Sequence, residues 1–457
     1  MPAPTESALL YKHADVSTAL TVKSGHGLYL ALESGQQILD ATSGAGVTAI
    51  GHGNARVKAA IAAQLDEIAY VHPGFYKTTV AERLADFLVE STEGKMARAV
   101  LVGSGSEAVE AAMKLARQYF LELSPPQPTR SHFIAREGSW HGCTLGALAV
   151  GDFKVRKQLF EPLLPTNVTR VSACNAYRGL LAGESTAAYV ARLAAELEAE
   201  FRRLGPETVC GFIAEPLVGT ALGCVTAVPG YFEAVKAVCD RHGALLIFDE
   251  VICGMGRTGT MHAWEQEGVV PDIQAVGKGL ASGYGVISAL LVNDRVVSAL
   301  KKGSGYFAHG QTYQTHALSC AAALEVQRII REEKLLGNVR RMGKHMEALL
   351  KERLGGHPNV GDIRGRGLFW GIEFVADKAT KEPLDPELQV AKRLHSRGLK
   401  KGYDISIFPA TGAADGWRGD QIWLAPPYIV QKRDVEEIVS RLGRVVEDVF
   451  KELATSC

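Results

Sequence analysis

The sequence predicts an α/β protein with a large domain built on a mostly parallel sheet and a smaller α+β domain at the C-terminal end. Short apolar runs such as ALLIF (244–248) alternate with amphipathic segments such as YFEAVKAVCDRHG (231–243). Strands and helices that alternate at this length are typical of parallel sheets with helical crossovers. A chain of 457 residues is also long enough for two hydrophobic cores.

Within the large domain, the segment VAERLADFLVE (80–90) has helical periodicity. A strand, RAVLV (98–102), then runs into a glycine-rich turn and the amphipathic segment GSGSEAVEAAMKLARQYF. Gly243 is expected to cap the helix before ALLIF. The remaining strands of this sheet are predicted at 132–136, 211–216, 244–251, 272–279 and 287–292.

The pattern changes from about Ala317, where a nearly continuous helical segment is predicted to lead into the small domain. A strand pair (364–375), a helix (388–398), the strand QIWLAPPYIV and a terminal helix from Lys432 follow. We therefore expect a large domain over 56–325 and a small domain over 326–457. Residues 1–55 carry short strands and turns, too few to fold alone, and should pack on the small domain.

Composition excludes several classes of partner. Lys plus Arg (50) balance Asp plus Glu (50), so net charge gives no reason to expect nucleic acid or an anionic membrane. The longest apolar stretches have the length of strands, and the N-terminus lacks the apolar core of a signal peptide. We therefore expect a soluble, cytoplasmic protein.

The eight cysteines form no C-x-x-C pair and no zinc-site spacing. A chain of this size needs no disulfide bonds for stability. We expect reduced thiols that are mostly buried, an exposed Cys457, and no metal site.

Four predicted strand ends carry polar residues, and ligands bind beyond the carboxyl ends of parallel strands. In the first, Ser104, Gly105 and Ser106 precede a helix whose N-terminal N–H groups favour an anion. Either serine could instead be only the N-cap of that helix. The segment alone leaves phosphate binding and simple capping equally open.

The other three ends carry ionizable side chains. Asp249 follows the apolar run ALLIF, so it is either paired with a cation such as Arg or holds a proton on a heterocycle nitrogen. Lys278 lies between two glycines after an apolar strand, which favours a nucleophilic amine in a cleft over an ordinary surface lysine. Glu215 precedes Pro216, and its structural and functional interpretations are equally open.

The order of these segments resembles the class-III (omega-type) aminotransferases, a branch of the fold-type-I pyridoxal 5′-phosphate (PLP) enzymes. The motifs are Gly-Ser-Gly-Ser-Glu-Ala, Trp-His-Gly, Ala-Glu-Pro, Phe-Asp-Glu-Val…Gly-Arg-Thr-Gly, Gly-Lys-Gly and Gly-Gln-Thr-Tyr. The resemblance extends from about Asp40 to Ile429. Its most specific part is the stretch that separates Asp249 from Lys278 by 29 positions.

For the reactive groups, the resemblance implies that Lys278 forms a Schiff base with PLP and moves the proton between substrate Cα and cofactor C4′. Asp249 would pair with the pyridine nitrogen and keep the ring an electron sink. Val251 and Trp140 would pack on the two ring faces, although relatives more often have Tyr or Phe at the position of Trp140. His141 would either contact the cofactor or have a structural role.

For the rest of the cofactor, the resemblance implies phosphate contacts from Ser104, Gly105 and Ser106. Thr312 would reach the phosphate from the neighbouring subunit, which implies a homodimer with shared active sites, and tetramers are possible. Glu215 would line the pocket near the cofactor hydroxyl.

Two departures from the family pattern concern the substrate pocket. Many amine-specific relatives have a bulky triplet where this chain has Ser43-Gly44-Ala45-Gly46. We therefore expect a roomy pocket that takes bulky or long amines, lined by Gly46 and Tyr76 and bordered by the N-terminal segment. Thr315-His316-Ala317 stands where relatives have Gly-His-Pro, which affects the local loop.

A third departure concerns the mobile arginine by which relatives alternate between amines and keto acids. In this chain Arg418 stands immediately before Gly419, after an apparent insertion. It either binds a substrate carboxylate or is a solvated loop arginine.

The resemblance thus implies a PLP-dependent aminotransferase that moves an amino group from an amine or amino acid to a keto acid or aldehyde. A racemase or a decarboxylating aminotransferase of the same fold is the alternative, because the residues above do not separate these reactions. A PLP-binding sensor would need an interaction module, and no such segment is visible.

Overall fold

The structure is a computed structural model that describes residues 9, 10 and 20–456. The prediction that Cys457 is exposed therefore lies outside the described residues, as does part of the predicted N-terminal segment. Seven cysteines are described, all of them free thiols; six are buried and Cys143 is exposed.

Eighteen strands and fourteen α-helices, numbered along the chain, form the described part of the protein. The strands are β1 (Val22–His26), β2 (Tyr29–Leu32), β3 (Gln37–Asp40), β4 (Arg98–Val102), β5 (His132–Arg136), β6 (Val168–Val171), β7 (Val209–Ala214), β8 (Leu217–Val218), β9 (Val225–Thr226), β10 (Leu245–Glu250), β11 (Ile273–Val276), β12 (Ser288–Val292), β13 (Val360–Arg366), β14 (Phe369–Asp377), β15 (Glu382–Pro383), β16 (Ile405–Ser406), β17 (Phe408–Ala410) and β18 (Gln421–Leu424).

The helices are α1 (Ser43–Gly46), α2 (Ala55–Glu67), α3 (Thr79–Glu90), α4 (Gly105–Glu122), α5 (Leu145–Val150), α6 (Lys154–Lys157), α7 (Ala176–Gly179), α8 (Thr186–Leu204), α9 (Tyr231–Arg241), α10 (Asp294–Lys302), α11 (Ala317–Glu332), α12 (Leu335–Leu354), α13 (Val390–Gly398) and α14 (Lys432–Ser456). Across the described range, no helix is long and apolar enough to cross a membrane.

The large sheet has seven strands in the order β4-β12-β11-β10-β7-β5-β6. Only β12 runs against its neighbours, so the prediction of a mostly parallel sheet is confirmed. Side chains alternate between the two faces of a strand. In β10, Leu245 and Ile247 accordingly pack with α4, whereas Leu246 and Phe248 pack with α8 and α9. Helices on both faces bury the sheet and leave the carboxyl ends of its parallel strands for a site.

The first turn of α4 resolves one open question of the sequence. The Ser104 hydroxyl accepts a hydrogen bond from the Glu107 backbone N–H at 3.2 Å, and the Glu107 carboxylate accepts one from the Ser104 N–H at 3.1 Å. This reciprocal pair is a capping box. Ser104 is therefore the N-cap of the helix, which leaves Gly105 and Ser106 in its first turn.

The C-terminal part forms an antiparallel sheet in the order β13-β14-β18-β17, with β15 paired to β14. Helices α12 and α14 supply apolar side chains such as Leu350 and Leu442 to the same core. The helical pattern expected to continue from Ala317 is interrupted at Lys334, whose φ of +52° ends α11 and separates it from α12. Strand β16 pairs in parallel with β3, so the N-terminal sheet and the C-terminal part share a ladder. The domain limits themselves stay predictions.

A buried ion-pair network joins the two parts of the chain. The Glu373 carboxylate of β14 accepts a hydrogen bond from Arg178 Nε at 2.6 Å and lies 2.7 Å from Arg364 Nη2. Arg364 also donates from Nε to the Gly223 carbonyl at 2.9 Å. Arg178 and Gly223 lie in segments that connect strands of the large sheet. Glu373 and Arg364 therefore link the antiparallel sheet to those connecting segments.

Replacing Glu373 by Ala should destabilise the protein by about 3 kcal/mol, because it leaves the partly buried Arg178 without its carboxylate and leaves Arg364 with Asp362 alone. Urea denaturation followed by circular dichroism measures this loss. The control is Glu382→Ala, which removes an exposed ion pair with Arg418 and should cost no more than about 1 kcal/mol. Equal losses for the two variants would contradict the role given to Glu373.

Candidate active site

A cavity of about 180 Å³ lies at the carboxyl ends of β7, β10 and β11, beside the start of α4. Its lining contains eight of the residues that the sequence nominated, drawn from segments far apart in the chain. The lining residues are Gly105, Ser106, Trp140, His141, Gly142, Glu215, Thr220, Asp249, Val251, Ile252, Lys278 and Ser288.

Lys278 enters the cavity directly after β11. The preceding Gly277 lies so close to β12 that a Cβ atom there would be 2.4 Å from Ser288 Oγ, so a larger residue would require the Ser288 side chain to move. Lys278 itself has a φ of +42°, in the left-handed region that few non-glycine residues adopt. The flanking glycine and this turn of the backbone direct the side chain into the cavity instead of along the sheet.

Burial lowers the pKa of the Lys278 amine to about 8, and the nearby carboxylates of Asp249 and Glu215 oppose that shift. A lowered pKa does not by itself mark a reactive amine, since burial also lowers the pKa of Lys157 to about 8. The Lys157 ammonium donates hydrogen bonds to the carbonyls of Ala149 at 3.0 Å and Gly151 at 2.9 Å, so its role is structural. The position of Lys278 in the cavity distinguishes the two.

Asp249 is held by two hydrogen bonds at the end of β10. Its Oδ2 lies 2.9 Å from His141 Nδ1, and its Oδ1 accepts from the Val251 backbone N–H at 3.0 Å. The sequence offered Arg as the structural partner, and the structure has His141 in that place. Both side chains are buried, and among the described residues His141 Nε2 has no hydrogen-bond partner. His141 therefore both lines the cavity and orients the carboxylate.

Glu215 fixes the loop that carries Trp140. Its Oε1 accepts from the Trp140 N–H at 3.0 Å and its Oε2 from the Gly219 N–H at 3.2 Å. Burial raises the pKa of this carboxyl, with the Asp249 charge adding to the rise and His141 opposing it. Glu215 thus serves the local structure as well as lining the cavity.

Trp140 and Val251 both line the cavity. Val251 packs against the first turn of α4 so closely that a Cβ at Gly105 would lie 2.7 Å from Val251 Cγ1. Ser106 Oγ, in the same turn, accepts from the Cys143 N–H at 3.0 Å. The helix N-terminus is thereby brought to the edge of the cavity, where its unpaired N–H groups and dipole favour an anion.

Five nominated residues do not line this cavity. Ser104 caps α4, and Thr312 lies on an exposed loop before α11. Tyr76 lies between α2 and α3 and is 66% exposed. Gly46 has a φ of +74° and lies against Ile252. A Cβ atom at Gly46 would be 3.2 Å from Ile252 Cγ1.

Arg418 is the fifth. Its Nε lies 2.8 Å from Asp415 Oδ2 and its Nη1 lies 3.1 Å from Glu382 Oε1, on an exposed loop. Arg418 therefore lies outside the cavity, with its guanidinium paired to two exposed carboxylates.

Sequence reasoning missed four lining residues: Gly142, Thr220, Ile252 and Ser288. Ile252 directly follows Val251, and Thr220 follows the strand end that carries Glu215, so both were within reach. Ser288 begins β12, which is antiparallel, so the start of this strand lies at the edge where the parallel strands end. No pattern in the sequence gave that direction.

The family model for aminotransferase class-III matches residues 10–446 of the chain. The chain belongs to the class-III aminotransferases. An aminotransferase of Gibberella zeae is 52% identical over 93% of this chain and 84% of its own length. Gamma aminobutyrate transaminase 3, chloroplastic, of Solanum lycopersicum is 34% identical over 95% of this chain and 82% of its own length.

Solved structures agree with this assignment. The omega transaminase from Pseudomonas jessenii in complex with PMP is 30% identical, with a TM-score of 0.90, over 98% of this chain and 97% of its own. The fold-type-I architecture is confirmed, as is the prediction of a PLP-dependent transaminase.

The lining residues fit PLP. Lys278 provides an amine with a lowered pKa, and Asp249 is a buried carboxylate on the same strand edge. Trp140 offers an aromatic face, while the first turn of α4 suits a phosphate. The unpartnered Nε2 of buried His141 adds a polar atom whose partner is missing among the described residues.

The Lys278 amine should react with a small aldehyde half-maximally near pH 8, because only the neutral amine is nucleophilic. Borohydride trapping on the cofactor-free enzyme, with peptide mass spectrometry, gives this midpoint residue by residue. Asp249→Asn should lower the midpoint further, since it removes a negative charge that favours the ammonium form. A midpoint near the ordinary lysine value of about 10.4 would contradict the burial argument.

Proposed function

We propose that this aminotransferase is of the omega type and uses Lys278 both to bond to PLP and to move the proton. The observation that carries the proposal is the Lys278 amine, with its pKa lowered to about 8, in the same cavity as Asp249, Trp140 and Ser106. Bound PLP supplies the electron sink of the reaction.

The proton would be moved by one group. Lys278 Nζ would take the proton from the substrate carbon that carries the amino group and deliver it to C4′ of the cofactor within the same half-reaction. In the second half-reaction it would move a proton in the opposite direction. A general acid/base works best when its pKa lies near the working pH, and the burial of Lys278 moves its pKa in that direction.

Asp249 would keep the ring nitrogen protonated, because a carboxylate in a buried site favours a positive charge beside it. Its hydrogen bonds to His141 and to the Val251 N–H fix both oxygens before the cofactor arrives. Gly105 and Ser106 would hold the phosphate at the start of α4.

Thr312 would contact the phosphate from a neighbouring subunit, which makes the working enzyme a homodimer with shared sites. Its exposure on a loop outside its own cavity supports this assignment. The exposed aromatic side chains Tyr76 and Tyr313 offer apolar area for the same contact. Tetramers and a cytoplasmic location stay predictions.

A roomy pocket would suit donors whose amino group lies on a long or bulky chain. The segment Ser43–Gly46 has no large side chain, and its Ala45 packs beside Ile252, which lines the cavity. The omega transaminase structures and the gamma-aminobutyrate transaminase among the relatives support a donor of this kind. The acceptor would be a keto acid or an aldehyde.

An amine donor without acceptor should bleach the visible absorption band of the wild-type holoenzyme, and a keto acid should restore it. Lys278→Ala should lose turnover by at least about 1,000-fold, because the variant lacks both the covalent attachment and the proton carrier. The control is Lys301→Ala, at the exposed end of α10, which should behave as wild type.

Turnover that survives in Lys278→Ala would contradict the role of this lysine. A wild-type band that persists with every donor, together with loss of chirality in a single amino acid, would instead indicate the racemase. Release of carbon dioxide would indicate the decarboxylating reaction.

Filling the pocket at Ala45 should select against large donors. Ala45 has a negative φ of −125°, so a larger side chain brings none of the strain that the flanking glycines would suffer. Along the series Ala45, Leu and Trp, kcat/KM for a bulky arylalkyl amine should fall progressively relative to that for a short amine, by about 10-fold or more for Trp. An unchanged ratio with normal cofactor binding would show that this segment does not border the substrate.

A further inference from the structure

Arg156, in the short helix α6, lies beside the cavity wall. Its guanidinium carbon is 4.7 Å from the centre of the Trp140 ring and 5.2 Å from that of Phe153. Trp140 lines the cavity that holds Lys278. A guanidinium at this distance from an aromatic ring makes a cation–π contact, which fixes its position.

This guanidinium is charged but unpaired. Among the described residues, no carboxylate lies within ion-pair distance of Arg156, and its side chain makes no hydrogen bond. Arg170 and Arg136 differ, because Arg170 pairs with Asp152 and Arg136 donates to the Glu215 carbonyl. Arg156 is partly buried, so its unpaired charge carries a desolvation cost that an anionic ligand would relieve.

The charge of Arg156 also affects the pKa of Lys278 in the cavity. Burial is the main cause of the lowered pKa of Lys278, and the positive charge of Arg156 adds to it. The interaction of Arg156 with Cys143, in the turn after Trp140, has the opposite sign and raises the pKa of the arginine against the effect of burial. Arg156 is therefore electrostatically coupled to both Lys278 and the loop of Trp140.

We propose that Arg156 binds the carboxylate of acidic donors and keto-acid acceptors in this cavity. The proposal rests on the proposed function, because it needs the substrate to enter beside Trp140. Under this proposal the substrates carry both an amino or keto group and an acidic group on one carbon chain. A guanidinium can hold a carboxylate by two parallel N–H···O bonds, whereas an amine without an acidic group gains nothing from it.

The test compares matched donors and matched variants. The donors are 4-aminobutanoate and its neutral counterpart 1-aminobutane, each added to holoenzyme without acceptor while the absorption band is followed. The variants are Arg156→Met, which keeps the length but loses the charge, and Arg156→Lys, which keeps a charge without the planar fork. Arg418→Met is the control, because that arginine is occupied by Asp415 and Glu382.

For Arg156→Met, kcat/KM of the half-reaction with 4-aminobutanoate should fall about 10- to 100-fold, while that with 1-aminobutane should stay within about 2-fold. Arg156→Lys should lie between wild type and Arg156→Met, and Arg418→Met should equal wild type. Glutarate, which cannot react, gives an independent readout: its Kd, from the perturbed absorption band, should rise by the same factor in Arg156→Met only.

Three results would overturn the assignment. An equal loss with both donors would mean that Arg156 only supports Trp140, and no loss with either would mean that it does not meet the substrate. A wild-type enzyme that reacts with 1-aminobutane but neither reacts with 4-aminobutanoate nor binds glutarate would exclude the acidic substrate class. Failure of the proposed function looks different, because no amine of either kind would then bleach the wild-type band.

Discussion

The parallel alignment of β7, β10 and β11 is the constraint on which the site depends. Because parallel strands end at one edge, Glu215, Asp249 and Lys278 meet in a single cavity although they are far apart in sequence. Each would cost several kcal/mol of desolvation if it were buried alone. Together they offset part of that cost, since the two carboxylates favour the ammonium form of Lys278 against the burial that disfavours it. The balance leaves an amine with a pKa of about 8, which a surface lysine would not have.

Packing explains the glycines of the site, and chemistry explains the polar side chains between them. Gly105 lets the first turn of α4 approach Val251, and Gly277 lets β11 turn beside Ser288. Without these two close approaches, the N-terminus of α4 and the Lys278 side chain would not reach the same space. The glycines of these motifs are therefore needed for the backbone geometry of the site, as the polar residues are needed for its chemistry.

Local patterns allowed the strand ends, the capped helix and the reactive lysine to be predicted from the sequence. What depended on a distant segment could not be predicted. The partner of Asp249 is His141, 108 positions away, and no local rule distinguished it from an arginine. The direction of β12 decided whether Ser288 lies at the site, and the left-handed backbone of Lys334 divided a helical pattern that looked continuous.

The arginines illustrate why pairing matters more than position in a motif. Arg418 stands near the place where relatives carry a substrate arginine, but Asp415 and Glu382 already neutralise it. Arg156 belongs to no motif, yet among the residues that the structure describes its charge has no ion-pair partner, and it lies beside Trp140. A transamination cycle changes the charge and bonding of Lys278, so a carboxylate held by that lysine would be released and rebound at each half-reaction. A guanidinium remains protonated throughout, because arginine does not lose its proton in proteins. An anchor for an acidic substrate is therefore best separated from the proton carrier, and Arg156 stands apart from Lys278 while remaining electrostatically coupled to it.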